Sequence, residues 1–173
     1  MDECDLHTHP HLAKVWQRRG QPMRVPAAGE DERIAVYGAL DYASGQVLSQ
    51  TAASKNGAGF AAFLERIAQT WPEPTLVLVL DNASYHRSAA MREWWAEQDG
   101  RMLPFWLPTY APHLNLLERV WRFLKQKLAC HRFWADPAGL SQAATTLLDQ
   151  TAARFHRPDP PNLRLGQNFC QSA

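Results

Sequence analysis

The sequence predicts a single α/β domain built on a mixed sheet. Two apolar runs, "TLVLVL" and "RMLPFWLP", have the length and composition of buried strands, and a helical pattern follows each of them. Earlier in the chain, "RIAVYGALDY" and "QVLSQTA" flank the turn signal "ASG", which predicts a hairpin. The sheet is therefore expected to be antiparallel first and parallel later. A chain of 173 residues, 46% of them apolar, fits one such domain.

The first half of the chain alternates strands with one long loop and one helix. "ECDLHTH" is predicted as the first strand, and the following segment "PHLAKVWQRRGQPMRVPAAGEDE", rich in Pro, Gly and charge, as a connecting loop. The hairpin comes next. From Gly57 to Trp71 apolar residues recur at helical spacing, and Pro72 ends the helix. "TLVLVL" is expected to be a central strand that is covered on both faces.

The second half is mainly helical. "SAAMREWWAEQ" predicts a short helix, "RMLPFWLP" the fifth strand, and Asn115 to Cys130 a helix with one apolar stripe. A last helix is expected from about Pro137 to Phe155. We therefore expect residues 1–157 to form the domain and residues 158–173 an irregular tail.

Composition narrows the functional class. No apolar run approaches the about 20 residues that cross a bilayer, and Cys4, Cys130 and Cys170 form no disulfide pattern. The protein is therefore expected to be cytoplasmic and to contain no membrane-spanning segment. Charge is uneven, since residues 1–100 carry nine basic and thirteen acidic side chains and residues 101–173 carry nine and four. The basic half suits a polyanionic partner.

Asp81 follows the most apolar strand, in "LVLVLDNASYH". Ligands of open α/β sheets gather where strands end, so Asp81 is a candidate site residue. A strand-ending turn or a helix cap explains the aspartate equally well. Asn82 and His86 are candidate accessory residues, and His86 is expected to be exposed at a helix start, where it would contact phosphate, orient a ligand or do neither.

Glu118 offers a second carboxylate, in "LPTYAPHLNLLERVWRFLKQKL". Asn115 and Glu118 have the spacing of a capping box, which needs no catalytic explanation. Glu118 also lies at the edge of the apolar stripe, with Arg122 and Lys125 following on its own side, as suits an acid in a site that touches phosphate. The densest basic run is expected either to neutralise DNA phosphates or to be a solvated helix face; it comprises Arg119, Arg122, Lys125, Lys127 and Arg132.

Asp2 lies on the first strand, where alternation places Asp2 and Cys4 on one face and Glu3 and Asp5 on the other. If this strand lies beside the strand of Asp81, the two aspartates are neighbours. Carboxylates from two strands and a late helix are the ligands that two divalent ions about 3.5–4 Å apart require. Oxygen ligands select Mg²⁺ or Mn²⁺, which would also offset the repulsion between the acids.

Several motifs occur together in order: "DE" on a strand, "W-x-x-x-G-x-P" at Trp16, Gly20 and Pro22, "LDNASYH", and "LPTYAPHLNLLERVW" before a Lys-containing helix. With them, the chain resembles the catalytic domain of mariner-like bacterial insertion-sequence transposases, the DDE endonucleases. The resemblance runs from Asp2 to about Lys127. It implies an RNase H-like (retroviral integrase-like) fold, a mixed sheet of about five strands flanked by helices.

The resemblance also implies a mechanism and partners. The three metal-binding acids of the family correspond to Asp2, Asp81 and Glu118, the last two 37 positions apart. Two Mg²⁺ or Mn²⁺ ions would support DNA cleavage and strand transfer. Double-stranded DNA, as element ends and target, is the implied partner, together with a homodimer and a separately encoded helix-turn-helix segment, because the family's N-terminal helix-turn-helix region is not present here.

Three alternatives stay open from the sequence. The first is a catalytically inactive DNA-binding or assembly remnant of a transposase, although all three acids are present. The second is a Mg²⁺-dependent phosphatase for small molecules, which the basic helix and the lack of a phosphate-binding Gly loop disfavour. The third concerns a zinc site formed by His7, His9 and His11 with Cys4, although the spacing matches no structural zinc pattern.

Overall fold

The strands and helices follow one another in the predicted order. The structure, a computed structural model, describes residues 1–27, 29–72, 75–108 and 114–155. The predicted tail, residues 158–173, therefore lies outside the described residues. The strands are β1 (Asp2–His7), β2 (Arg33–Leu40), β3 (Val47–Ala52), β4 (Leu76–Leu80) and β5 (Met102–Trp106). The helices are α1 (Gly57–Thr70), α2 (Ala89–Glu97), α3 (Leu117–Leu128) and α4 (Pro137–Phe155), with a 3-10 helix at Ser84–Arg87.

The first three strands form an antiparallel ladder in the order β1–β2–β3. The predicted hairpin between β2 and β3 is confirmed. Its turn is closed by the side chain of Asp41, which accepts from the amide of Ala43 at 3.0 Å, and by Gly45, whose φ of 73° favours glycine. In the register of β1 on β2, Asp2 lies opposite Gly38.

The last two strands, β4 and β5, pair in parallel. β1 meets β4 at its first residue, where the Met1 amino group donates to the carbonyl of Val79 at 2.6 Å. This contact joins the antiparallel ladder to the parallel pair and brings the start of β1 beside the end of β4. The five strands form two hydrogen-bonded sheets, one of three strands and one of two, with flanking helices, and the predicted α/β class is confirmed.

Alternate residues of the sheet face two different cores. On one side, β1 and β2 pack against α3 and α4 through Cys4, Leu6 and Val36. On the other side, Tyr37 and its neighbours pack against α1 and α2, with Phe60 and Phe63 at the centre. Period-2 alternation in β2 thus supplies both cores from one strand.

One prediction about β4 is wrong. Among the described residues, α1 and α2 cover one face of this strand, and Leu78 and Leu80 on that face are buried. The opposite side presents an apolar surface in which Val77 pairs with Leu103 and Val79 with Phe105. Their exposed fractions are 62%, 46%, 41% and 59% respectively. Because every position of this strand is apolar, its sequence does not distinguish a strand covered on one face from a strand covered on both.

The long segment between β1 and β2 is a loop, as predicted. It is fixed near its start, where the amide of His11 donates to Ala129 at 2.8 Å and the amide of His131 donates to His11 at 3.0 Å. These bonds attach the loop to the end of α3. None of the helices in the described part of the chain combines the length and apolar character that a membrane span requires.

Candidate active site at the junction of β1 and β4

Asp2 is a buried carboxylate on the α3 side of the sheet. Trp121 of α3 donates its indole Nε1–H to Asp2 Oδ2 at 2.8 Å. Burial, with smaller contributions from the charges of Glu3 and Asp81, raises the pKa of Asp2 to about 6 against the lowering effect of the Trp121 hydrogen bond. The Trp121 hydrogen bond therefore orients the carboxylate. Its burial and the neighbouring negative charges favour the binding of a positive charge.

The Trp121 ring reaches Asp2 because the strand opposite has no side chain there. Gly38 faces Asp2 across the β1–β2 ladder. A Cβ at position 38 would overlap the ring, with Cζ2 only 2.8 Å away. Gly38 is thus required by a close approach, and the contact docks the first turns of α3 on β1.

Asp81 directly follows β4, and the turn predicted there is confirmed. It forms a turn, because its Oδ1 accepts from the amide of Ala83 at 3.0 Å. It also lies at an open sheet edge, with 48% of its side chain exposed. The contact with His86 lowers the pKa of Asp81, against partial burial, so the carboxylate stays ionised. Asn82 turns away and donates to the carbonyl of Leu107 at 2.6 Å, which fastens the end of β4 to the chain beyond β5.

The structure brings Asp2 and Asp81 together. The bond from Met1 to Val79 sets β1 beside β4, with each aspartate a short distance along the chain from that contact. The charge of Asp81 also makes a small contribution to the raised pKa of Asp2, after burial and the charge of Glu3. The neighbour relation inferred from the strand order therefore exists.

Glu118 stands apart from the two aspartates. It is exposed in the first turn of α3, one turn before Trp121. The capping box is not formed, because the helix begins at Leu117 and Asn115 Oδ1 accepts from the amide of Leu117 at 3.2 Å. Within the described ranges, no three His, Cys, Asp or Glu side chains converge closely enough to hold a metal ion. Glu118 lies on the helix that carries Trp121, and among the described residues it forms no metal-binding group with the two aspartates.

Glu3 and His86 form a buried pair that the sequence did not reveal. Glu3 Oε1 lies 3.1 Å from His86 Nε2, and the side chains are only 3% and 1% exposed. The expectation of an exposed His86 is wrong, because the 3-10 helix turns its ring inward against Phe60. Burial lowers the pKa of His86, but its contacts with Asp81 and Glu3 outweigh burial and raise it to about 9. The one signal in the sequence was position: Glu3 directly follows Asp2, and His86 comes shortly after Asp81.

The basic side chains lie along and just beyond α3. All five predicted residues, Arg119, Arg122, Lys125, Lys127 and Arg132, are exposed. The charge of Lys125 acts on the buried thiol of Cys4, so this lysine lies near β1. Arg132 stacks on the ring of Trp134 at 4.5 Å. A basic surface therefore runs along the helix whose Trp121 contacts Asp2.

The histidines after β1 do not assemble a zinc site. His7 pairs with Asp31 at 2.8 Å on the surface, whereas Cys4 is buried against α3 and α4. No metal-binding group that includes His9 or His11 occurs in the described part of the chain. The alternation of β1 explains this outcome, because positions 4 and 7 face opposite sides.

The chain belongs to the DDE superfamily endonuclease family, whose model matches residues 1–140. The insertion element IS630 uncharacterized 39 kDa protein of Shigella sonnei is 32% identical over 138 residues, which is 77% of this chain and 40% of that protein. The chain thus spans less than half the length of this relative. The family resemblance inferred from the motifs is confirmed.

Solved structures show the same fold. The Mos1 transposase paired-end complex with the left transposon end matches with a TM-score of 0.64 at 17% identity, over 88% of this chain and 46% of that chain. The Mos1 mariner paired-end complex with Mn matches with a TM-score of 0.62 at 19% identity, over the same fractions. The fold is RNase H-like, as expected.

The family implies a divalent metal ion, and the residues at the junction fit one. Aspartate oxygens are the ligands that hard cations prefer. Asp81 Oδ1 is engaged by Ala83 and His86, whereas no contact to Oδ2 occurs among the described residues. Asp2 and Asp81 supply the one or two carboxylates that Mg²⁺ usually takes from a protein.

Gly38→Ala should destabilise the fold and weaken the hold on Asp2, because the added methyl group displaces Trp121. Overpacking of this kind costs about 1–3 kcal/mol. Urea unfolding measures the loss. Gly57→Ala is the matched control, since no atom lies within 4 Å of the added methyl group. If the overlap is the cause, Trp121→Leu will offset part of the loss in the double variant; equal effects of Gly38→Ala and Gly57→Ala would contradict it.

Proposed function

We propose that this chain is the catalytic part of an insertion-sequence transposase that cleaves DNA phosphodiester bonds and transfers the resulting strand end to a target. The observation that carries the proposal is the pairing of Asp2 and Asp81 at the junction of two strands, in a chain of the DDE endonuclease family. The Shigella sonnei relative is named as an insertion-element protein, and the Mos1 structures are named as transposase complexes with a transposon end or Mn.

The three acids have distinct tasks in this proposal. Asp2, fixed by Trp121, is the rigid ligand, and Asp81, half-exposed, faces the DNA side. Glu118 is the third ligand and joins them when cation and DNA neutralise the repulsion between the acids. Bound Mg²⁺ or Mn²⁺, as two ions, would supply an activated water or 3′-hydroxyl nucleophile and stabilise the leaving oxygen.

The chemical steps balance without a covalent protein intermediate. In the first step, a water oxygen forms a bond to phosphorus while the bond from phosphorus to the 3′-oxygen breaks, and that oxygen leaves as a hydroxyl. In the second step, this 3′-hydroxyl attacks a target phosphodiester and displaces another 3′-oxygen. The protein holds both groups in line; each nucleophile releases its proton to solvent, and each leaving 3′-oxygen takes up a proton from solvent.

The basic side chains on and beyond α3 bind the DNA backbone in this proposal. Lys125, whose charge acts on Cys4 of β1, would contact the cleaved strand, with Arg122 one turn earlier on the same helix. Arg119, Lys127 and Arg132 extend the contact. Such contacts neutralise phosphates and carry no sequence information, so recognition of the element ends falls to another part of the protein.

The remaining parts of the assembly follow from the same proposal. Double-stranded DNA, as element end and as target, is the substrate, and two copies of the protein act on the paired ends. A helix-turn-helix segment, encoded separately, would supply end recognition. The protein then works in the bacterial cytoplasm, on nucleoid DNA. The inactive-remnant alternative has less support, since Asp2, Asp81 and Glu118 are all present.

Asp81→Asn should abolish metal-dependent DNA cleavage while the fold is kept, because an amide cannot supply the charge that a divalent cation requires. Nicking of supercoiled plasmid in Mg²⁺ or Mn²⁺ measures activity, and circular dichroism measures folding. Asp99→Asn is the matched control: Asp99 is exposed, and its φ of 46° suits Asn. Cleavage by Asp81→Asn at the wild-type rate would remove Asp81 from the site.

Arg122→Ala and Lys125→Ala should each weaken DNA binding and reduce its salt dependence. Loss of one phosphate contact lowers the slope of log K against log salt by about 0.9. Fluorescence anisotropy with a DNA duplex at several salt concentrations gives that slope. Arg92→Ala, which removes an exposed cation from α2, is the control and should leave the slope unchanged. Equal slopes for all four proteins would show that α3 does not contact DNA.

A further inference from the structure

A buried Glu3–His86 pair lies directly behind Asp81. The geometry points to Glu3 and His86 as positioning residues that fix the carboxylate of Asp81 in the orientation in which it binds a cation. The inference rests on the proposed function, because it takes Asp81 as a metal ligand. It adds two residues that touch neither cation nor DNA and act only through the aspartate.

His86 is held so that each ring nitrogen faces a different carboxylate. Nε2 lies 3.1 Å from Glu3 Oε1, and Nδ1 lies 3.1 Å from Asp81 Oδ1. The Nδ1 contact is electrostatic rather than an aligned hydrogen bond. Phe60 stacks on the ring with centroids 4.1 Å apart, and Tyr85 meets it edge-on at 4.5 Å. A buried ring that is packed against one face and one edge has little room to turn, so these contacts hold the direction of Nδ1.

Glu3 projects from the face of β1 opposite to that of Asp2, and it holds the imidazole ring of His86 in place. Its carboxylate is 3% exposed, and burial of an ionised acid is costly without partners. Two donors satisfy it: His86 at Oε1, and the hydroxyl of Tyr85, which donates to Oε2 at 3.0 Å. Both donors come from the 3-10 helix that follows Asp81. The pair therefore ties that helix, and with it the direction of His86, to β1.

The pair acts on only one of the two oxygens of Asp81. His86 and the amide of Ala83 both contact Oδ1, at 3.1 and 3.0 Å. Oδ2 has no hydrogen bond or ion pair among the described residues, and the side chain as a whole is 48% exposed. A half-exposed aspartate would otherwise sample several rotamers, and a cation would bear the entropy cost of ordering it. Outer-shell partners of this kind orient metal ligands in general.

A purely structural role for His86 needs only its Nε2 contact with Glu3. Substitutions at position 86 separate the two contacts. In His86→Gln, the amide nitrogen can occupy the place of Nε2, which keeps Glu3 paired but removes the donor near Asp81. In His86→Asn, the shorter amide can occupy the place of Nδ1, which keeps a donor for Asp81 but leaves Glu3 with Tyr85 alone.

Direct Mn²⁺ binding to the full chain, without DNA, is the test. Electron paramagnetic resonance of free Mn²⁺ during titration gives the affinity, and thermal unfolding gives the stability of each variant. We expect His86→Gln to lose about 10- to 100-fold in Mn²⁺ affinity, the usual effect of removing an outer-shell partner. His86→Asn should bind Mn²⁺ more tightly than His86→Gln although it is the less stable of the two. His7→Gln, which breaks the surface pair with Asp31, is the control and should bind as wild type does.

Two results would overturn the inference while leaving the proposed function in place. One is Mn²⁺ affinity in His86→Gln within about twofold of wild type, far below the change expected for an outer-shell partner. The other is affinity that simply follows stability, with His86→Asn the weaker binder. If His86→Asn does not fold, the comparison of His86→Gln with His7→Gln decides alone. Absence of Mn²⁺ binding and of DNA cleavage in the wild-type chain would instead refute the proposed function, and this inference with it.

Discussion

Crowding of carboxylates where β1 meets β4 is the constraint around which this molecule is arranged. Asp2, Glu3 and Asp81 lie within electrostatic reach of one another, and each is contacted by a different set of donors. An indole holds Asp2, a phenol and an imidazole hold Glu3, and the same imidazole with a backbone amide holds Asp81. Three anions so close together would otherwise repel, so these donors stabilise the junction as well as shape it.

Each helix layer supports one of these donors. On one face, α3 brings Trp121 onto Asp2 across the gap left by Gly38, and the same helix carries Glu118 and the exposed cations. On the other face, α1 supplies Phe60, against which His86 is stacked. The site therefore depends on both cores at once. Packing defects on either side of the sheet are transmitted to a carboxylate, although they lie outside the site itself.

Most of the fold could be predicted because it rests on local patterns. Helical spacing, the hairpin turn and the strand runs are written in short stretches of sequence, and all are observed. The coverage of β4 could not be predicted, since a uniformly apolar run does not record which face is buried. The capping box at Asn115 failed for a related reason: its spacing is permissive, and the helix begins two residues later at Leu117.

The candidate site likewise contains residues that local sequence patterns indicate and a contact that they do not. Asp81 was proposed from its place after a strand, and Asp2 from the alternation of β1 and the family resemblance; the contact of Met1 with Val79 brings these two parts of the chain together. The pairing of His86 with Glu3 was not predicted, because it spans 83 positions and arises only when the 3-10 helix turns inward. No spacing rule links two such residues. His86 was expected on the surface because a polar residue at a helix start is usually solvated, and here contacts with two carboxylates outweigh that tendency.

The account is tested most directly by a crystal structure of the full chain with Mn²⁺, with anomalous scattering at the manganese edge. The account predicts an ion between the two aspartates, with a carboxylate oxygen of Asp2 and Oδ2 of Asp81 both at about 2.1 Å, the distance typical of small divalent cations on carboxylates. His86 should still contact Oδ1. An ion bound elsewhere, or one that Asp2 and Asp81 do not share, would contradict the claim that this junction is the catalytic centre.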